Sequence, residues 1–410
     1  MAKPPGASAG RHAIVIGGSV GGLFAANLLL RRGWDVQVFE KATGGLESRG
    51  TGIAYHPETE AILALAGARD KHAPGVRVEG RCAVDAMGTV VARQLYPQYV
   101  TAWGRIFNPL RAAFPAGRYH GGRELANLSQ DAGSVTAHFA DGSRATAELL
   151  VGADGFRSAV RAIVAPQAVP VYAGYVGWRG LVEEREFSPD FAPVFGQFTF
   201  GFPGHGETIG YPIPGLDDSV APGERRYNFL WYYPVDAGAA LTDLLTDASG
   251  RVHAWSIPPA LIRPEHIAAL QRDAAARLPA PYAEAPRRAR QFLVQPIYDL
   301  ESPAMGFGRV ALLGDAAFVA RPHVGVGVLK AAEDALALAG ALEAEPEVPA
   351  ALMRYGAARI PPSRAAVAMS RHLGAFIERR LPRPEADPGL GLTLPRLLEL
   401  SGRPVPRDAH

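Results

Sequence analysis

Gly17, Ser19 and Gly22, in "IGGSVGGL", stand at the spacing of a G-x-G-x-x-G turn with serine at its second position. In that pattern the first glycine permits a tight turn, the second lets backbone approach a pyrophosphate, and the third lets a helix pack on a strand. The Ser19 side chain narrows the approach, yet its hydroxyl can itself bond a phosphate oxygen. Glu40 closes the next strand-like run, "WDVQVFE", where an acid accepts hydrogen bonds from ribose hydroxyls. Asp154, in "VGADGF", and Asp315, in "LLGDAAF", each follow an apolar run. At the carboxyl end of a parallel strand such an aspartate can accept bonds from ligand hydroxyls, and the alternative is a helix N-cap. Capping suffices for one of the two; for both, after such runs, it does not. "VGVGV", with Gly325, Val326 and Gly327, opens an Ala/Leu-rich stretch and would present backbone N–H groups to negative charge.

These residues need a scaffold of strands and helices. Residues 13–16 read as a strand, "GLFAANLLLRRG" as a helix with Gly33 as its cap, and "WDVQVFE" as a second parallel strand. The same run is nearly long enough for a membrane span or a signal h-region, but four glycines within six residues weaken such a helix. "AELLVGADGFRSAVR" runs from strand into a short basic helix beginning near Ser158, and residues 310–313 form a strand before a proline-containing loop and a long helix. Three strand ends would therefore converge on one ligand. From residue 172 to about 295 the chain is rich in aromatic, Pro and Gly residues in short alternating runs, which predicts a β-sheet layer, joined by residues 75–96.

The expected architecture is α/β (α+β), a Rossmann-type binding domain with an inserted β-sheet substrate domain. The first comprises residues 11–74, 97–170 and 297–380, the second 75–96 and 171–296, and 381–410 form a peripheral tail. "MAKPPGASAG" reads as a loose leader outside the fold.

Composition narrows the function classes. A formal net charge of +2 over 410 residues, with 48% hydrophobic and 20% charged residues, suits a soluble protein and offers no argument for nucleic acid. The single cysteine, Cys82, cannot form an intrachain disulfide, which suits a reducing cytoplasm. No metal-spaced cluster and no nucleophilic triad is visible, so no metal is expected.

Together the motifs resemble the aromatic-ring hydroxylases, FAD monooxygenases of the p-hydroxybenzoate hydroxylase fold, from about Arg11 to the helix before residue 380. The resemblance implies that Gly17, Ser19, Gly22 and Glu40 hold the adenosine half of non-covalent FAD. It implies that Asp154 serves FAD and the nicotinamide nucleotide, that Gly314 and Asp315 bond the ribityl chain, and that the loop of Pro322, Gly325, Val326 and Gly327 lies under the isoalloxazine. It adds Arg49, in "RGTGI", to the cofactor set. Phe318 and Trp103 depart from the family, standing where many members place His and an FAD-contacting Arg. The implied activity uses NADH or NADPH and dioxygen to hydroxylate a small electron-rich ring, a hydroxypyridine or phenol, through a flavin C4a hydroperoxide. Family members are often homodimers.

On the substrate side the resemblance sets "GYPIPG" above the flavin, making Tyr211 the foremost candidate to line the pocket and act on the substrate. Trp178, Trp231 and His205 are further candidates, with ordinary core packing or a loop position as their alternatives. Arg179 would hold an anionic substrate or a structural carboxylate. His323, beside the expected flavin ring, could take a phenolic or pyridinol proton, or else orient its loop. Two rivals share the cofactor motifs: a monooxygenase of a larger natural product, and a dinucleotide-binding protein without turnover.

Overall fold

The computed structural model describes residues 11–44, 52–69, 74–204 and 206–403, so Arg49 and His205 lie outside the described residues. The apolar runs of the sequence become the centre of a six-stranded sheet, ordered Gly306–Phe307, Val310–Leu312, Leu149–Gly152, His12–Ile16, Asp35–Glu40 and Tyr119–Gly121. All neighbours are parallel except the first pair. Parallel strands covered on both faces need near-continuous apolar sequence, which is why "AIVI", "LLVG" and "VAL" are buried throughout. The helix Val20–Leu30 is buried almost all round, held between this sheet and the helix Gly327–Ala344. Among the described residues no helix is long and apolar enough to cross a membrane.

A nine-stranded sheet runs Phe318–Val319, Phe292–Glu301, Val171–Glu183, Arg226–Pro234, Glu207–Ile213, Phe198–Gly201, Val76–Val84, Val90–Ala102 and Gly52–Tyr55. Its side chains alternate between two cores. Tyr175, Ile209, Tyr211, Leu230, Tyr232 and Ile297 share one with Val324 and Phe376, whereas Val176, Trp178, Phe229 and Trp231 share the other with the helices Pro264–Arg277 and Ala280–Arg288.

Two sequence expectations need correction. The strand expected to stop at residue 96 continues to Ala102, with Gly52–Tyr55 paired on its outer edge. Pro97 does not end it, because Tyr96 and Pro97 fall in a register shift opposite Glu79, where no ladder N–H is needed. The tail is not peripheral either. Leu394–Leu400 is a helix capped by Thr393, whose hydroxyl accepts from the Arg396 amide, and Leu394, Leu397 and Leu398 pack with Val76 and Val78. Proline in a first helical turn is compatible with helix, and leucines at i, i+3 and i+4 supply an apolar face.

Candidate active site

The glycine turn is built by exclusion of side chains. Gly17 has φ +103°, and a Cβ there would collide with the Ala153 carbonyl, while one on Gly22 would collide with the Gly17 carbonyl. The turn is thus pressed against both its own helix and the neighbouring strand end. Ser19 is the helix N-cap in extended conformation and its side chain makes no cap bond, leaving the hydroxyl beside the open amides of the first turn. Glu40 is buried, accepting from the amides of Gly18 at 2.8 Å and Ala42 at 2.9 Å. It locks the turn to its strand and retains lone pairs for a ribose. Tyr119, which carries no sequence signal, covers the turn from the side and donates its hydroxyl to the Gly18 carbonyl at 3.2 Å.

The two aspartates divide the roles foreseen for them. Asp154 accepts from the Ser158 hydroxyl at 2.6 Å and the amides of Ala159 at 2.7 Å and Val160 at 3.2 Å, capping the helix Ala159–Val164. Asp315 stands instead on the wall of a cavity against the nine-stranded sheet and is accessible from it. The surrounding protein mass raises its pKa above the ordinary carboxylate value, offset by the charges of Lys330 and Arg161 and reinforced by Asp334. Arg161 bridges the two loops, donating to the carbonyls of Ala316 at 3.1 Å and Phe156 at 2.7 Å. From the long helix, Asp334 accepts from the Gly314 amide at 3.1 Å and Lys330 donates to the Gly314 carbonyl at 2.8 Å. Both polar groups of Gly314 are therefore held by one turn of helix, which fixes Asp315 next to it.

The cavity has a volume of about 590 Å³, enough for a small ring. It lies between Asp315, the loop of Pro322, His323, Gly325, Val326 and Gly327, and the inner face of the nine-stranded sheet. Tyr211 lines it, stacked on Phe198 with ring centroids 4.6 Å apart. Burial pushes the Tyr211 hydroxyl up to about 12 and that of Tyr232 far above its usual value, so both stay protonated donors at neutral pH. Tyr232 also lines the cavity, and its buried hydroxyl has no hydrogen-bond partner among the described residues. Arg179 lines the same wall, its Nε donating to Gln295 at 2.9 Å.

His323 has its Nε2 2.8 Å from the Tyr175 hydroxyl and its Nδ1 3.2 Å from a Glu207 carboxylate oxygen. All three side chains are buried. Both ring nitrogens thus face protein groups, and the Tyr232 ring lies 4.3 Å away, centroid to centroid.

Trp178 and Trp231 are not brought to the cavity. They are direct cross-strand partners on the opposite face of the sheet, and Trp231 packs against Tyr233 in that outer core. The pleat decides this: Asn228 opposes Tyr211, so even-numbered residues of that strand share its face, and Tyr232 rather than Trp231 reaches the cavity. This parity was readable from the sequence once the Tyr211 strand was paired, but the pairing itself was not. Ser401 and Gly402, from the segment expected to be peripheral, also line the cavity.

The arrangement fits a dinucleotide whose second half ends in a planar ring. There is a glycine turn with no room for a Cβ at Gly17 or Gly22 leading into a helix N-terminus, an acid at the end of the next strand, an accessible aspartate at the third strand end, and glycine backbone facing a mostly apolar cavity. Residues 11–188 match the FAD binding domain family and residues 172–299 an FAD binding domain-like family. The chain is 35% identical to 2,6-dihydroxypyridine 3-monooxygenase of Paenarthrobacter nicotinovorans, over 79% of this chain and 81% of that one. It is 32% identical to 3-amino-4-hydroxybenzoate 2-monooxygenase of Streptomyces cremeus, over 85% and 82%. The solved structure of 2,6-dihydroxypyridine-3-hydroxylase from Arthrobacter nicotinovorans superposes with a TM-score of 0.85 at 31% identity, covering 91% of this chain and 94% of that one.

Proposed function

The chain belongs to the FAD-dependent aromatic hydroxylases, NAD(P)H-using monooxygenases, and from that premise we propose that its substrate is a hydroxypyridine or a phenol seated in the cavity between Tyr211 and the flavin-side loop. The observation that carries this reading is the buried Tyr232 hydroxyl, without a hydrogen-bond partner among the described residues, on a wall it shares with Arg179, Phe200, Ile209 and Leu230. A buried donor without a partner costs stability unless a ligand satisfies it, and a ring hydroxyl or its anion does so.

Bound FAD supplies the redox and oxygen-activating chemistry. The chain's own residues bind and orient. The amides after Ser19 and the Glu40 carboxylate would hold the adenosine half, Asp315 would accept from the ribityl hydroxyls, and the backbone of residues 325–327 would face the flavin. Phe198, Phe200, Ile209, Leu230 and Ile297 keep water from the ring. Tyr232 donates to a ring oxygen and Arg179 favours its anionic form, the more nucleophilic one. We assign to His323 the proton that the ring gives up, accepted at Nε2 as the imidazole turns from the Tyr175 hydroxyl toward the cavity it lines, with Nδ1 remaining beside Glu207. Tyr211 sets the plane of the ring by stacking. Cys82 is buried beside Thr199 and takes no part, in keeping with a reducing cytoplasm.

The test is aerobic NADH and NADPH oxidation by the FAD-loaded protein, with a panel of hydroxypyridines, including 2,6-dihydroxypyridine, and hydroxybenzoates, followed by product mass. The expected result is stimulation by at least one ring, with a product one oxygen heavier. If no small ring stimulates oxidation while a bulkier aromatic does, the substrate assignment is wrong.

A further inference from the structure

We propose that Arg81 is a positioning residue of the active site, acting through the turn of Ser401 and Gly402 that it clamps against the loop carrying His323 and Gly325. Arg81 is 1% exposed and faces oxygens without a full charge. Its Nη1 donates to the Leu398 carbonyl at 2.8 Å and to the Ser401 carbonyl, and its Nη2 to the Gln98 side chain at 2.8 Å. The guanidinium lies 4.2 Å from the Tyr96 ring centroid. No carboxylate pairs with it among the described residues, so a buried cation is maintained here by the carbonyls ending the helix Leu394–Leu400.

The held turn continues to the active site. The Gly402 amide donates to the His323 carbonyl at 3.0 Å. A Cβ on Gly325 would lie 2.8 Å from the Gly402 Cα, so the two segments touch through backbone alone. On the other side, the His56 ring meets the Gly325 carbonyl at 3.1 Å. The loop is thus gripped between His56 and the turn, while Ser401 and Gly402 complete the cavity wall. Four distant segments, at residues 56, 81, 323–325 and 398–402, form one clamp whose central cation is Arg81. Loosening it shifts the loop and opens the wall without touching the dinucleotide cradle.

The inference rests on the assignment of the cavity to ring binding, and the experiment keeps the two separable. The FAD-loaded full chain is compared with Arg81→Met, Arg81→Lys, a chain cut after Leu400, and Arg396→Ala as a control on the exposed side of the same helix. The readouts are ring KM, KM for NAD(P)H, the fraction of NAD(P)H oxidised that appears as hydroxylated ring, and iodide quenching of the bound flavin. For Arg81→Met and the cut chain we expect unchanged FAD content, a ring KM raised about tenfold, a clear fall in coupling and increased iodide access, since small misplacements of a reacting pair are costly. Arg81→Lys falls between, and Arg396→Ala matches the parent. Folded, FAD-loaded Arg81→Met with parental ring KM, coupling and iodide access would overturn the proposal. Should that variant not fold, the cut chain, which keeps Arg81, decides by the same readouts. Iodide access decides even if the parent accepts none of the rings tested, so the clamp and the substrate assignment fail independently.

Discussion

The two ends of the active site are built from different materials. At the glycine turn, specificity is made by absence: Gly17 and Gly22 have no space for a Cβ, and Glu40 is spent largely on backbone amides. At the ring cavity it is made by side chains from strands far apart in sequence, selected by the pleat of the nine-stranded sheet and closed by the turn after the helix Leu394–Leu400. A backbone-built end tolerates almost no substitution yet serves any dinucleotide. A side-chain-built end can be varied residue by residue, which is where relatives acting on different rings can diverge.

Substitutions should therefore separate the ends. The largest effect is expected for Gly22→Ala, whose methyl meets the Gly17 carbonyl; we expect a loss of about 3 kcal/mol in urea unfolding of the apoprotein and failure to retain FAD. At the cavity, His323→Gln should slow hydroxylation by about a hundredfold, the scale of a lost general base. The loss should be greatest at low pH, where ring hydroxyls are protonated, and shrink as pH rises and the ring ionises unaided; a parental pH profile would remove the assigned role.

Asp315→Asn should raise the FAD Kd about tenfold or more through loss of charged hydrogen bonds. Its effect on stability has the opposite sign. Because the fold raises the Asp315 pKa, the ionised group opposes folding above its unfolded pKa, and that penalty is relieved as pH falls through the raised folded pKa. The Asn apoprotein should accordingly unfold at higher urea than the parent at neutral pH, and the difference should narrow on acidification. Equal midpoints at neutral pH would contradict a raised Asp315 pKa.

Neighbouring residues test the pleat. Tyr232→Phe should lower kcat/KM for the ring about tenfold with FAD binding intact, whereas Trp231→Phe should leave ring KM unchanged and cost about 1–2 kcal/mol of stability in the outer core. A reversed pattern would mean that the strand presents its other face. The smallest effect belongs to Ser19→Gly, where a cap position without a cap bond should change stability by only about a few tenths of a kcal/mol and leave FAD bound in titration.

The same contrast explains what could be read in advance. Gly17, Gly22, Glu40 and the strand ends at Asp154 and Asp315 are local patterns, each a turn or terminus whose conformation constrains its own residues. The parallel core followed from them. Trp178 and Trp231 were candidates on residue type alone, and the register that turns them outward depends on partners more than fifty residues away. Tyr119, Arg161 and Lys330 act by reaching backbone carbonyls of other segments, an interaction that leaves no spacing in the sequence. The turn at Gly402 was hidden for a related reason. Its segment is proline-rich, and its anchors, Arg81, Val76, Val78 and His323, all lie far from it in sequence.

The most direct test of the account is aerobic turnover under ¹⁸O₂ with NAD(P)H and the best ring of the panel, read by product mass for the parent and Tyr232→Phe. The account predicts one labelled oxygen on the ring, with less product from the variant at equal FAD content. Oxidation of NAD(P)H with an unlabelled ring in the parent, or the same yield from both proteins, would contradict it.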